Sequence, residues 1–167
     1  LRVPAWAEGA ATLTVDDQPR SVPVGYAEVT RVFAPGDVIE LDLPMQPRLT
    51  TADPRIEGLR SQVAVERGPL VYCAEALDLP PGLALELLDV DCGVAPAANE
   101  DGSVLVTATV RHADDLPWPY TARGLLADGP SASPEVAESV SVRLLPYYSR
   151  AERGSTRMRV WLSGSRA

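Results

Sequence analysis

The chain has 167 residues, 46 % of them hydrophobic, enough to bury a packed core and too many for a disordered segment. A formal net charge of −8 repels phosphate backbones and offers nothing basic to an anionic bilayer, so neither nucleic acid nor a membrane is an expected partner. The 16 prolines and 12 glycines break nearly every stretch, which excludes long helices and leaves room for short strands joined by turns.

Thr12-Leu13-Thr14-Val15 alternates polar and apolar and predicts a strand, followed by a turn at Asp16-Asp17-Gln18-Pro19. Residues 26–33 alternate again, with Ala27, Val29 and Phe33 on one face. After the turn signal Ala34-Pro35-Gly36-Asp37, residues 38–43 return with Ile39, Leu41 and Leu43 on one face. These two runs predict a hairpin, closed off by Pro44 and Pro47. Residues 48–61 are mixed and polar and predict a connection between two units.

Strands are predicted over 62–66 and 70–75, with Arg67-Gly68-Pro69 as the turn between them. Residues 83–90 suit either a strand, through Leu83, Leu85 and Leu87, or a short helix. Residues 104–111 are rich in Val and Thr and predict a strand. A proline- and glycine-rich loop is predicted over 112–135. Strands over 139–145 and 157–162 flank a loop with two adjacent tyrosines. The pattern of many short strands belongs to all-β sandwiches and barrels.

Little of this sequence carries chemistry. The single histidine, His112, has neither a Gly-x-Ser-x-Gly elbow nor metal-ligand spacing around it. Cys73 lies in the apolar run Val71-Tyr72-Cys73-Ala74 and reads as a buried thiol, with a disulfide to Cys92 left open. The 23 acidic residues make carboxylate pairs common by chance. Asp16-Asp17 and Asp114-Asp115 suit turns, and Asp89 with Asp91 suits a solvated strand face, so no glycosidase-type pair is assigned. Neither a phosphate loop nor a dinucleotide fingerprint occurs. The candidates for binding are aromatic: Trp118 and Tyr120 in the long loop, Tyr147 and Tyr148 in the last one, able to stack on a sugar face or to plug an end of the fold. All 15 basic residues are arginine, which reads as the codon bias of a high-GC bacterial genome.

Several stretches carry a family resemblance. Leu1-Arg2-Val3-Pro4-Ala5-Trp6-Ala7 opens the chain. Gly25-Tyr26 precedes a strand, and Pro35-Gly36-Asp37 precedes Glu40-Leu41-Asp42-Leu43-Pro44-Met45. The most specific part runs from Gln62 through Val65-Glu66-Arg67-Gly68-Pro69 to Cys73. Pro146-Tyr147-Tyr148, Arg153-Gly154 and Met158-Arg159-Val160-Trp161-Leu162 follow. In this order they resemble the bacterial β-L-arabinofuranosidases of glycoside hydrolase family 127, over nearly the whole chain.

The resemblance implies an antiparallel β-sandwich, jelly-roll or immunoglobulin-like, in two units: residues 1–55 as the C-terminal part of a truncated first sandwich, and 56–167 as a second. It also implies a parent enzyme whose helical barrel, upstream of Leu1, hydrolyses with retention, using a cysteine nucleophile beside zinc and a glutamate acid/base. None of those residues maps onto this chain, for which no catalytic residue, metal or cofactor is expected. The loop after Tyr148 departs from the family, which commonly has Trp and Asn where Arg150 and Glu152 stand. The expected role is that of a non-catalytic accessory region that supports the parent's catalytic barrel, forms a homodimer, or both. The alternative is a carbohydrate-binding module that holds an arabinose-containing glycan through Trp118, Tyr120, Tyr147 and Tyr148. Localisation stays open.

Overall fold

The computed structural model describes residues 1–81, 83–110 and 138–165. The chain divides into two compact units, Leu1–Gln46 with Arg67–Pro69, and Pro47–Glu66 with Leu70–Ala167. Each has its own apolar core.

In the first unit, β2 (Thr12–Val15) and β3 (Gln18–Ser21) form a hairpin with Val15 opposite Gln18. Asp16 and Asp17 make the two-residue turn with φ of 51° and 59°, the left-handed pair that matches strand twist in such a loop. The other edge of β2 pairs with β5 (Ile39–Asp42), with Leu13 opposite Leu41. A second small sheet joins β1 (Arg2–Val3) to β4 (Gly25–Tyr26). Val3, Ala7, Ala11, Leu13, Val22 and Ala27 form the core.

The hairpin expected from residues 26–33 and 38–43 does not form. The turn does: the Asp37 amide donates to the Ala34 carbonyl, and the Asp37 carboxylate accepts from the Ala34 amide at 2.8 Å. Its flanks, however, are tied by ion pairs of Arg31 with Asp16 and Asp37 instead of a ladder. Val32 is 93 % exposed, and β5 spends its pairing on β2. Alternation reports which side chains could share a face; it does not name the partner strand.

The second unit contains β6 (Pro47–Thr51), β7 (Gln62–Arg67), β8 (Leu70–Glu75), β9 (Leu88–Asp91), β10 (Ala97–Ala98), β11 (Val104–Val110), β12 (Glu138–Pro146), β13 (Met158–Arg159) and β14 (Leu162–Ser165). The clearest element is β11. Val104, Val106, Ala108 and Val110 are buried, and each alternate residue is less so, the period-2 signature of a strand with one wet face. It pairs antiparallel with β12 along its whole length, Val106 opposite Val142.

The ambiguous run at 83–90 resolves into both of its readings in turn, a 3-10 turn at Leu85–Leu87 and then β9. The polar stretch expected to be a mere connection contains β6. The strand expected over 157–162 splits into β13 and β14.

The sandwich expectation is overturned. Among the described residues the order β8-β12-β11-β9-β14-β7 returns to β8, a closed ring of six strands with no second sheet facing the first. The ring is mixed: β14 runs parallel to β9, with Gly164 opposite Val90, and antiparallel to β7, with Leu162 opposite Val63. Side chains from all six strands fill the interior, among them Val65, Tyr72, Leu88, Val106, Leu144 and Leu162. A barrel and a sandwich impose the same inward period on every strand, so alternation cannot tell them apart. What decides between them is the two non-local pairings that β14 makes, with β7 and with β9. The all-β class itself stands, since only short 3-10 turns accompany the strands among the described residues.

Candidate binding surface

The loop after β12 carries the two tyrosines, and the sheet dictates its path. Pro146 pairs with Tyr72 on one side of β8, and Met158 pairs with Glu75 on the other. The intervening residues must therefore cross from one edge of β8 to the other, and they do so against the strand's last residue. Glu75 stands there, fully buried.

A buried carboxylate is tolerated only when its oxygens are matched. One oxygen of Glu75 accepts from the Ala151 amide at 2.8 Å, and the other from the Arg153 guanidinium at 2.7 Å. Arg153 also grips both oxygens of Asp78. These two acids, Asp78 first, hold the guanidinium firmly protonated, its pKa raised above the ordinary arginine value. Arg143 approaches Asp78 at 3.9 Å and pairs with Asp101 at 2.7 Å. Asp101 accepts from the Ser103 hydroxyl and amide as well, and these bonds with Arg143 pull its carboxyl down to about 2.

Clamped at Ala151 and Arg153, the loop folds into a 3-10 turn at Tyr147–Ser149. The Ser149 hydroxyl donates to the Pro146 carbonyl at 2.9 Å, and the Ala76 amide donates to the Arg157 carbonyl. The turn presents Tyr147, 47 % exposed, and Tyr148, 73 % exposed. The Arg150 guanidinium lies 5.7 Å from the Tyr147 ring centre. Beside Tyr147 runs an open groove of about 650 Å³, walled by Val71, Met158 and Trp161, with Gln62 and Arg159 as its polar members.

A second hollow of about 740 Å³ lies near Ser61, Val63, Cys92 and Gly164. Cys73 and Cys92 are free thiols, so the disulfide left open by the sequence is not formed. Burial raises both thiol pKa values; Glu75 adds to this at Cys73, and Asp89 and Asp91 do so at Cys92. Among the described residues no group of three or more His, Cys, Asp or Glu side chains is placed to hold a metal ion.

Of the four aromatic candidates, Tyr147 and Tyr148 stand together on one turn, and Trp118 and Tyr120 lie outside the described residues, as does His112. Reading the sequence alone passed over Glu75, Arg153, Arg159 and Trp161 as site residues. Glu75 did leave a signal, an acid closing the apolar run Val71-Tyr72-Cys73-Ala74.

Comparison with known proteins gives one family for the whole arrangement. Residues 1–45 match the β-L-arabinofuranosidase GH127 middle domain, and residues 47–163 the glycoside hydrolase family 127 C-terminal domain. A non-reducing end β-L-arabinofuranosidase of Bifidobacterium longum subsp. longum is 37 % identical across 96 % of this chain, which spans 25 % of that protein. A solved glycoside hydrolase superposes with a TM-score of 0.73 at 33 % identity, over 99 % of this chain and 27 % of its own. A GH127 β-L-arabinofuranosidase from Geobacillus stearothermophilus T6 gives 0.73 at 27 % identity, over 98 % and 26 %. The chain thus spans about a quarter of the length of the relatives it matches. It carries their accessory domains and not the catalytic barrel. The two consecutive domain matches, which together span residues 1–45 and 47–163, make the chain a member of glycoside hydrolase family 127, of which it holds the middle and C-terminal domains.

Proposed function

We propose that this chain is the structural, non-catalytic part of a bacterial β-L-arabinofuranosidase-like enzyme, and that it supports the catalytic barrel and a homodimer. The observation that carries this reading is the tandem match, middle domain then C-terminal domain, at 37 % identity to an enzyme of that activity. Exposed apolar side chains support a covered role: Tyr26 at 80 %, Val32 at 93 % and Val38 at 74 % lie open on the first unit. Where such side chains share one patch, the patch marks an interface. The lysine-free composition and the bacterial sources of the relatives support a bacterial origin.

The test compares the 167-residue chain with the full-length parent on aryl β-L-arabinofuranosides, with and without added zinc. Turnover is expected from the parent alone. Turnover by the isolated chain, or a parent inert on every arabinofuranoside, overturns the reading. Sedimentation equilibrium tests the dimer, and a monomer at the highest soluble concentration rejects it.

A second reading, a glycan-binding surface, is favoured by the exposure of Tyr147 and Tyr148 on an anchored turn. Calorimetry with arabino-oligosaccharides tests it. The expected result is binding that is lost in Tyr147→Ala.

A further inference from the structure

We propose that the groove beside Tyr147 binds a carboxylate-bearing glycan, a chain that includes uronic acid units. The inference rests on the glycan-binding reading and adds the charge of the ligand.

Three features of the groove support it. First, its size, about 650 Å³, falls in the range of small-ligand sites and suits one or two sugar rings. Its walls are the surfaces that sugars use: the apolar faces of Tyr147 and Trp161 for ring C–H groups, and Gln62 for hydroxyls.

Second, no acid among the described residues lines it. Its single charged member, Arg159, is exposed and makes no ion pair with any described residue. Arg150, at the same tyrosine, lies by its ring and makes no ion pair with any described residue. In a chain of net charge −8, Arg159 in the groove and Arg150 at its tyrosine, neither ion-paired with a described residue, give the groove a local positive charge. The nearest buried acids are already matched, Glu75 and Asp78 both by Arg153. Glu152, in the same loop, is exposed and does not line the groove. Guanidinium favours carboxylate through its planar, bidentate geometry, and a neutral hydroxyl gains much less. Long-range repulsion from the acidic surface opposes this, but at about 0.15 M salt it is screened beyond roughly 8 Å, so the charge of Arg159 in the groove dominates, with Arg150 at Tyr147 adding to it.

Third, the surface is preorganised. The turn bearing Tyr147 is fixed through Ala151 and Arg153 to a fully buried carboxylate, so little loop entropy remains to be lost on binding.

The experiment titrates the 167-residue chain calorimetrically with three probes: a galacturonic acid trisaccharide, its fully methyl-esterified form, and a neutral arabinotriose. Each exposed arginine–carboxylate pair contributes up to about fivefold. The expected result is an acid trisaccharide bound about fivefold to tenfold more tightly than its ester at about 0.15 M salt, and a preference that collapses at about 1 M. Arg159→Gln, with an unchanged far-ultraviolet dichroism spectrum, should remove most of the preference and leave ester binding intact. Tyr147→Ala should weaken all three probes. Equal binding of acid and ester, lost in Tyr147→Ala, overturns the charge assignment and spares the glycan reading. A preference that survives in an Arg150→Gln, Arg159→Gln double variant overturns the location. Failure of all three probes to bind overturns both the inference and the reading beneath it.

Discussion

Glu75 and Arg153 are 78 positions apart in the chain and 2.7 Å apart in the fold, and their pairing joins the end of β8 to the loop that bears the tyrosines. The pair is unequal. Glu75 is wholly buried, whereas the Arg153 side chain is 38 % exposed. Removing the arginine leaves the buried Glu75 with the Ala151 amide alone and Asp78 with only the longer contact to Arg143. Removing the charge of Glu75 leaves an arginine that water and Asp78 still serve.

Arg153→Gln is therefore expected to destabilise the second unit by about 3 kcal/mol, the low end for breaking a buried pair because one partner is partly solvated. Glu75→Gln should cost less, about 1–2 kcal/mol, because an amide oxygen still accepts from the Ala151 amide. Urea unfolding of both variants and of the double variant checks the order. The double variant should be less destabilised than the two single costs predict.

Acid should loosen the turn at Asp101. Its folded carboxyl is held at about 2 by Ser103 and Arg143, below the ordinary value of 3.8. A depressed acid contributes stability that is present above its unfolded pKa and lost as pH falls through the folded one. The loss attributable to this group falls between pH values of about 4 and 2. Asp101→Asn should flatten the stability profile within that window and leave its shape above pH 5 unchanged, as read by chemical denaturation at stepped pH.

Crowding at the seam of the barrel gives a third expectation. A Cβ on Gly164 would stand 2.9 Å from the Cys92 sulfur and 3.0 Å from a Val63 methyl. Gly164→Ala should cost about 1–3 kcal/mol by overpacking. Adding Cys92→Ala should recover part of that loss, while Cys92→Ala alone should have a smaller effect. Thermal melts of the three variants give the coupling.

The thiols should be slow. Both pKa values are raised by burial, and Cys73 has no exposed surface. A disulfide reagent at neutral pH is expected to modify Cys92 first and Cys73 only on unfolding. Fast labelling of Cys73 in the folded chain would contradict the packing around β8.

The sequence foretold individual strands far better than their neighbours. Residues 62–66, 70–75, 139–145 and, within the described residues, 104–110 were legible because hydrophobic burial writes a period of two into each strand separately. The Asp16-Asp17 turn was visible too, through residues that tolerate a left-handed backbone. The hairpin expected around Ala34-Pro35-Gly36-Asp37 failed because a good turn does not oblige its flanks to pair when β2 competes for one of them. The sandwich failed for the same reason at larger scale. Tyr147 and Tyr148 could be singled out as exposed aromatics, but not the clamp beneath them, since nothing local announces that Glu75 will meet a loop so distant in the chain.

The parallel seam between β9 and β14 also sets an order of events. Leu162 must find Val63, and Gly164 must find Val90, before the ring exists. Until then β9 and the first residues of β7 lack that partner strand. Loop-closure entropy must be met before those contacts stabilise anything, so this barrel belongs with slow, high-contact-order folders. During synthesis it stays open until β14 has left the ribosome, and in that interval its two bare flanks are the places where a chaperone, or a neighbouring nascent copy, would take hold.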